Sequence, residues 1–169
     1  MIETARLILD KGKLSDYKDM YENVWRHEKC ARYMYWSVTQ SEEDALARME
    51  RTIEFQKKHD TFTVYDKASM KAIGFAGFEK VSDDTYEECG ICISPSYQNK
   101  GYGKEILNSL IDYCKNSYNI KHFIYTSREE NTASIRLAES CGFRYFSSEK
   151  KIDTRDNKEY KMLKFIKDV

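Results

Sequence analysis

The chain has 169 residues, 41% hydrophobic and 33% charged, with 28 Lys and Arg residues against 28 Asp and Glu residues. That length suits one domain spanning residues 1–169 and burying roughly 68–70% of its unfolded surface, and the even charge balance supplies no global field for nucleic acid or an anionic membrane. One proline and seven glycines leave little material for linkers, no segment approaches the ~20 apolar residues of a membrane span, and Met1-Ile2-Glu3 carries no apolar leader, so a cytoplasmic location is expected.

Leu7-Ile8-Leu9 reads as a first strand, and Tyr17, Met20, Tyr21 and Val24 follow at helical spacing after Ser15. Residues 25–38 are aromatic-rich without a clear period and suit a loop or short helix with a wall to line. Ser41 with Asp44 makes an S-x-x-D start for a helix carrying Leu46, Met49 and Ile53 and fading near His59. Phe62 and Val64, Ala72 to Phe78, and Tyr86 to Ser94 read as three strands. The last is nearly continuous in apolar residues, as expected of a strand covered on both faces, and Pro95 ends it. Its Cys89 and Cys92 form an isolated C-x-x-C whose thiols face opposite sides. With five cysteines at no framework spacing, they read as reduced packing residues, and no metal is expected.

Ile106, Leu107, Leu110, Ile111 and Cys114 make an apolar helical stripe beginning near Lys104. Phe123 to Thr126 is a buried strand. Asn131 opens a helix through Ile135 and Ala138 that Gly142 closes, and Phe143 to Ile152 with Tyr160 to Ile166 flank a turn at Asp156-Asn157. The order is strand, two helices, three strands, helix, strand, helix, two strands.

The run Gln98-Asn99-Lys100-Gly101-Tyr102-Gly103-Lys104 joins a strand to the most secure helix. Two glycines remove side chains from the turn, so that consecutive N–H groups and the positive end of the helix dipole face one anion. A dinucleotide fingerprint would need glycine where Ile106 stands, and a P-loop would need glycine at Gln98 and Ser or Thr at Glu105.

Three segments together resemble the GCN5-related N-acetyltransferase superfamily, RimJ/RimL-type branch. Thr4-Ala5-Arg6-Leu7-Ile8-Leu9 is similar to that branch's T-x-R-L-x-L start, Gln98-x-x-Gly101-x-Gly103 to the superfamily's Q/R-x-x-G-x-G/A signature, and Asn131-x-x-Ser134-Ile135 with Gly142-Phe143 to its N-x-x-S-I…GF segment. The resemblance implies an α/β (α+β) fold with a single mixed, largely antiparallel sheet of about seven strands flanked by about four helices and splayed at a central parallel pair.

It also implies acetyl-CoA as donor and CoA as product, with no metal. The pyrophosphate is expected on the backbone of Asn99, Lys100, Gly101, Tyr102, Gly103 and Lys104, and the pantetheine beside Ile91, Cys92 and Ile93, where a backbone N–H would stabilise the oxyanion. Asn131 is expected on the pantetheine, Arg136 on the ribose phosphate, and Lys100 and Lys104 as added charge. Many relatives have a tyrosine acid seven residues after the asparagine; here Ala138 occupies that position, and Ser134 is the substitute. Glu88, at the E-x-G position, is the leading base. Trp25, His27, Tyr33, Tyr35 and Trp36 are candidates for the acceptor pocket. The implied acceptor is a primary amine, either a protein N-terminus or a small molecule, and the family's habit leaves a homodimer open. An α-amino group near pKa 7.7–8.0 needs roughly a few hundred-fold less help to lose its proton than a lysine near 10.4. The alanine at 138 keeps open a second expectation, an acetyl-CoA-binding module that senses rather than catalyses.

Overall fold

The computed structural model describes residues 1–169. Eight strands form one sheet: β1 (Ile2–Glu3), β2 (Leu7–Asp10), β3 (Thr61–Asp66), β4 (Ala72–Lys80), β5 (Thr85–Ile93), β6 (His122–Arg128), β7 (Arg144–Ile152) and β8 (Glu159–Asp168). They lie in the order β1-β2-β3-β4-β5-β6-β8-β7. Every neighbouring pair is antiparallel except β5 and β6. The helices are α1 (Tyr17–Met20), which a π turn extends over Tyr21–Trp25, then α2 (Glu28–Ala31), α3 (Glu42–Gln56), α4 (Tyr102–Tyr118) and α5 (Thr132–Ser140). The expected mixed, splayed sheet is present with one more strand than the sequence pattern discloses. A two-residue strand such as β1 has no readable alternation, and it forms only because β2 supplies its partners.

Alternation along the strands divides the core between two faces. Phe62, Val64, Ile73, Ala76 and Phe78 join Ile106, Leu107 and Leu110 of α4 and Ala138 of α5 on one face. Tyr65, Ala72 and Cys92 join Met20, Val24, Trp25, Ala45 and Met49 of the α1–α3 layer on the other. The S-x-x-D signal works as expected, the Ser41 hydroxyl accepting from the Asp44 N–H at 3.1 Å to cap α3. Leu46, expected on the buried stripe of α3, is only partly covered; Met49 is buried as expected, and Ala45 completes the seam.

Two irregularities in β5 open the sheet at its centre. Its parallel pairing with β6 covers Thr85, Tyr86 and Glu87 opposite His122, Phe123 and Ile124 and then stops. Against β4 its register slips, Glu88 facing Phe78 but Ile91 facing Ala76. Two residues of β5 thus oppose Gly77, a β-bulge in which Gly90 takes φ +126°. The expectation of a strand covered on both faces therefore fails beyond Glu87: Cys89 is exposed, and Ile91 and Ile93 are half-buried because β6 has diverged. No helix is long and apolar enough to cross a membrane.

Candidate active site

Glu88 sits where β5 and β6 part. Its carboxylate accepts from the Gly90 N–H at 2.7 Å, and from the Thr126 N–H and hydroxyl at 3.3 and 3.2 Å. It thereby takes the Thr126 N–H that further strand pairing would have used. The residue is only 6% exposed. Burial raises its pKa to about 7, the hydrogen bonds from Gly90 and Thr126 pulling the other way and the charge of Glu87 adding to the rise. A carboxylate poised near neutrality takes a proton at physiological pH without holding it too tightly. The neighbouring carboxylates are differently placed. Glu87 faces Glu79 across the β4–β5 ladder, and burial raises its pKa, Lys164 and Lys151 opposing the rise and Glu79 adding to it.

The glycine turn starts α4 two residues before Lys104. Gly101 is the cap residue at φ 80°, ψ 0°, a left-handed conformation that strains any residue with a Cβ. None of the six backbone N–H groups from Asn99 to Lys104 donates to an acceptor within the chain. Gly103 has a different reason to be small than the anion approach expected of it. A Cβ there would point at Leu137 of α5, 3.3 Å from its Cδ2, so the residue permits close α4–α5 packing.

The side chains of the turn look away from it. Gln98 donates to the Ile93 carbonyl at 3.2 Å, Lys100 to the Ser96 carbonyl at 2.8 Å, and Lys104 to the Ser140 carbonyl at 2.9 Å. Tyr102 lies under the Arg6 guanidinium, 3.9 Å from ring centroid to carbon. Cys92 is buried toward α1–α3, and the Ile93 carbonyl already receives Gln98 as well as a weak 3.9 Å contact from the Cys30 thiol. Arg136 is exposed on α5.

The opening of the chain anchors the turn from beneath. Thr4 Oγ1 and the Arg6 N–H both donate to Glu105 Oε1, at 2.6 and 2.9 Å, Arg6 Nε donates to Oε2 at 2.7 Å, and Arg6 Nη1 reaches the Lys100 carbonyl at 2.9 Å. Partial burial alone would raise the Glu105 pKa; the bonds from Thr4 and Arg6 outweigh it and hold the carboxyl below its usual value. Sequence reasoning used Glu105 only to exclude a P-loop. Its i+2 spacing from Gly103 carries no signal that it receives a residue almost a hundred positions away.

On α5, Asn131 Oδ1 caps the helix by accepting the Ser134 N–H at 3.2 Å. The Ser134 hydroxyl lies 2.8 Å from the hydroxyl of Tyr125 on β6, one residue before the Thr126 that holds Glu88. Tyr125 is buried, and burial, with the nearby Glu88 charge, raises its phenol far above its ordinary value. In the sequence it reads only as a strand residue. Ala138 is buried in the core against the sheet.

The five aromatic and histidine residues expected in the acceptor pocket separate into three settings. Trp25 is 2% exposed and belongs to the core. The His27 Nε2 is turned to the Glu22 carbonyl at 2.7 Å. Tyr33, Tyr35 and Trp36 form an outer wall. Tyr33 donates to the Glu130 carbonyl at 3.3 Å, just before α5, and the Tyr160 hydroxyl donates to that of Tyr35 at 3.4 Å. Arg48 of α3 lies 4.7 Å from the Trp25 ring and 4.3 Å from the Trp36 ring, and burial lowers its pKa to about 10.

A group that the sequence did not announce fastens this wall. Arg155, in the β7–β8 turn, donates to the carbonyls of Ala31, Trp36 and Arg32 at 2.9, 3.1 and 3.3 Å. It also pairs with buried Asp153 at 2.7 Å, and Asp153 takes a second bond from buried Arg128 at 2.8 Å. These bonds, that from Arg155 foremost, hold the Asp153 carboxyl well below the usual carboxylate range.

The sheet thus splays at its one parallel pair, with a free row of N–H groups at the next helix and a neutral-range carboxylate in the fork. The profile of the Acetyltransferase (GNAT) domain matches residues 6–144, and the chain belongs to that family. By that membership it is an acetyltransferase. Among curated relatives, the uncharacterized N-acetyltransferase p20 of Bacillus licheniformis is 27% identical over 145 residues, 83% of this chain and 80% of that protein. A GNAT-family acetyltransferase from Bacillus anthracis has the same fold, with a TM-score of 0.83 at 24% identity over 98% of this chain and 96% of that one. So does the microcin C7 self-immunity acetyltransferase MccE, solved with acetyl-CoA and AMP, with a TM-score of 0.81 at 20% identity over 98% of this chain and 94% of that one.

Proposed function

We propose that the protein transfers an acetyl group from acetyl-CoA to a primary amine, by direct attack of the amine in a ternary complex, with Glu88 as the base. Glu88 carries the reading, since a carboxylate titrating near 7 at the mouth of the splay accepts an ammonium proton at neutral pH. Acetyl-CoA supplies an activated thioester. The free N–H groups from Asn99 to Lys104 fit its pyrophosphate, each hydrogen bond to a charged group contributing about 1.5–3 kcal/mol. Beyond Glu87 the β6-facing edge of β5 has no strand partner, which suits the pantetheine arm and an N–H directed at the carbonyl oxygen. The amide nitrogen of Asn131, whose oxygen caps α5, has no partner within the chain and is assigned to the same arm. Ser134 is assigned to the departing sulfur. Tyr33, Tyr35 and Trp36 are assigned to the acceptor side. We place the chain in the RimJ/RimL branch, on the Thr4-x-Arg6 opening that grips Glu105 beneath the turn.

The test is thiol release from acetyl-CoA with a panel of N-terminal peptides, free amino acids, polyamines and aminoglycosides, each product checked by mass. One acceptor class should release thiol in proportion to enzyme. A second reading, a sensor that binds acetyl-CoA without turnover, is favoured by the buried Ala138 where relatives carry an acid. Tight CoA binding with silence across the panel would select it.

A further inference from the structure

The hydroxyl oxygens of Tyr125 and Ser134 lie 2.8 Å apart, a distance at which either could be the donor. Burial decides the direction. The Tyr125 hydroxyl has no other partner in the chain, and a phenol this far from water would leave its O–H unsatisfied, at about 1–3 kcal/mol, unless it donates to Ser134. The raised phenol pKa keeps that proton in place throughout the working range.

Ser134 must then send its own proton elsewhere. Two other helical serines return theirs to their own helix, Ser109 to the Ile106 carbonyl at 2.8 Å and Ser140 to the Leu137 carbonyl at 2.9 Å. Ser134 makes no such bond. Its N–H is held by the Asn131 side chain, which fixes the residue at the start of α5 without engaging the hydroxyl proton.

From this arrangement we infer that Tyr125 is a positioning residue that holds Ser134 as a hydrogen-bond donor toward the sulfur of the acyl donor; the inference rests on the proposal that acetyl-CoA is that donor. Tyr125 does not itself deliver a proton. Its phenol is a weaker acid than a thiol, whose reference value is about 8.5, so full transfer to a thiolate runs uphill. The charge balance closes without it. The C–S bond breaks with its electron pair on sulfur, the amine nitrogen gains the acyl carbon, Glu88 carries away the nitrogen's proton, and the thiolate is stabilised by the Ser134 O–H, itself polarised by Tyr125.

The experiment needs no acceptor. The thiol of protein-bound CoA is titrated by the ultraviolet absorbance of its thiolate in wild type, Tyr125→Phe and Ser134→Ala, with CoA affinity measured where the thiol is neutral. A hydrogen bond to a charged group corresponds to about one to two pKa units, so wild type should lower the bound thiol by that amount relative to free CoA and Ser134→Ala should abolish the effect. Tyr125→Phe should lose about half of it while its CoA affinity stays unchanged. Coincident titration of Tyr125→Phe and wild type would overturn the inference, as would a Ser134→Ala variant that titrates like wild type. Failure of wild type to bind CoA at all would instead remove the acetyl-CoA proposal on which it stands. Tyr125→Met removes the same hydroxyl and takes the place of the phenylalanine variant if that one does not fold.

Discussion

The two sides of the splay are held together by different means. On the α4–α5 side the groups left free are set by near neighbours, with the Thr4–Arg6 opening bracing them from beneath: a left-handed Gly101, a row of N–H groups freed by the start of a helix, and a serine capped by an asparagine three residues earlier. On the α1–α3 side it is assembled from afar, Arg155 holding carbonyls of Ala31, Arg32 and Trp36 that lie more than a hundred residues upstream. On the proposed function, backbone geometry serves a donor whose phosphates are always the same. A wall of side chains fastened by one strap can be rebuilt for a new acceptor without disturbing the donor side.

Breaking Glu88 should have the largest effect, because it is the proposed base. Glu88→Gln should lower kcat by about 10²–10⁴-fold with CoA affinity unchanged, as read by steady-state kinetics on the acceptor that the panel identifies. Wild-type kcat/KM should rise with pH through about 7, and this rise should vanish in the variant. The same group sets a stability trend. Its folded pKa is raised, so the folded state binds more protons than the unfolded one between about 4.3 and 7, and stability should fall as pH rises through that window, by on the order of 3 kcal/mol. Denaturant melts of Glu88→Gln should lose the trend.

Gly101→Val should damage the donor side alone. A left-handed conformation costs a residue with a Cβ about 1–2 kcal/mol, and a turn that relaxes to avoid it misaligns the N–H row, so CoA affinity should fall about tenfold or more by calorimetry. Arg155→Ala is the converse. It should raise the acceptor KM about tenfold and leave CoA affinity alone, and parallel losses in both would mean that the sides are not separable. Gly103→Ala should do least. Its Cβ meets the flexible end of Leu137, so thermal unfolding should move by no more than about 1 kcal/mol and CoA affinity not at all.

The same division governs what the sequence discloses. The succession of elements from Leu7 onward, the α4 stripe, the Ser41 cap, Gly101 and the Asn131–Ser134 start are set by residues within a few positions of one another, so spacing reveals them. Glu88 was reachable because one motif position marks it, although the bulge that turns its carboxylate into the fork is a product of β4–β5 pairing. Glu105 meets Thr4 and Arg6, and Arg155 meets Ala31, Arg32 and Trp36, only when distant segments come together, while Tyr125 meets Ser134 only once β6 and α5 have packed. The aromatic stretch from Trp25 to Trp36 was only partly legible for a related reason. Without a period it does not say which ring faces inward, and Trp25 proves to be core while Tyr35 is exposed. Gly103 reads in the sequence as space for an anion, and in the fold a Cβ there would also meet a neighbouring helix.

The free N–H row at the start of α4 is the feature on which the donor assignment stands, and thermal unfolding of wild type and Gly101→Val with and without CoA tests it most directly. Saturation to about a hundred times the dissociation constant should stabilise the wild type by about 2.7 kcal/mol and the variant, at the same CoA concentration, by about half of that or less. Equal stabilisation of the two proteins, or none of the wild type, would contradict the account.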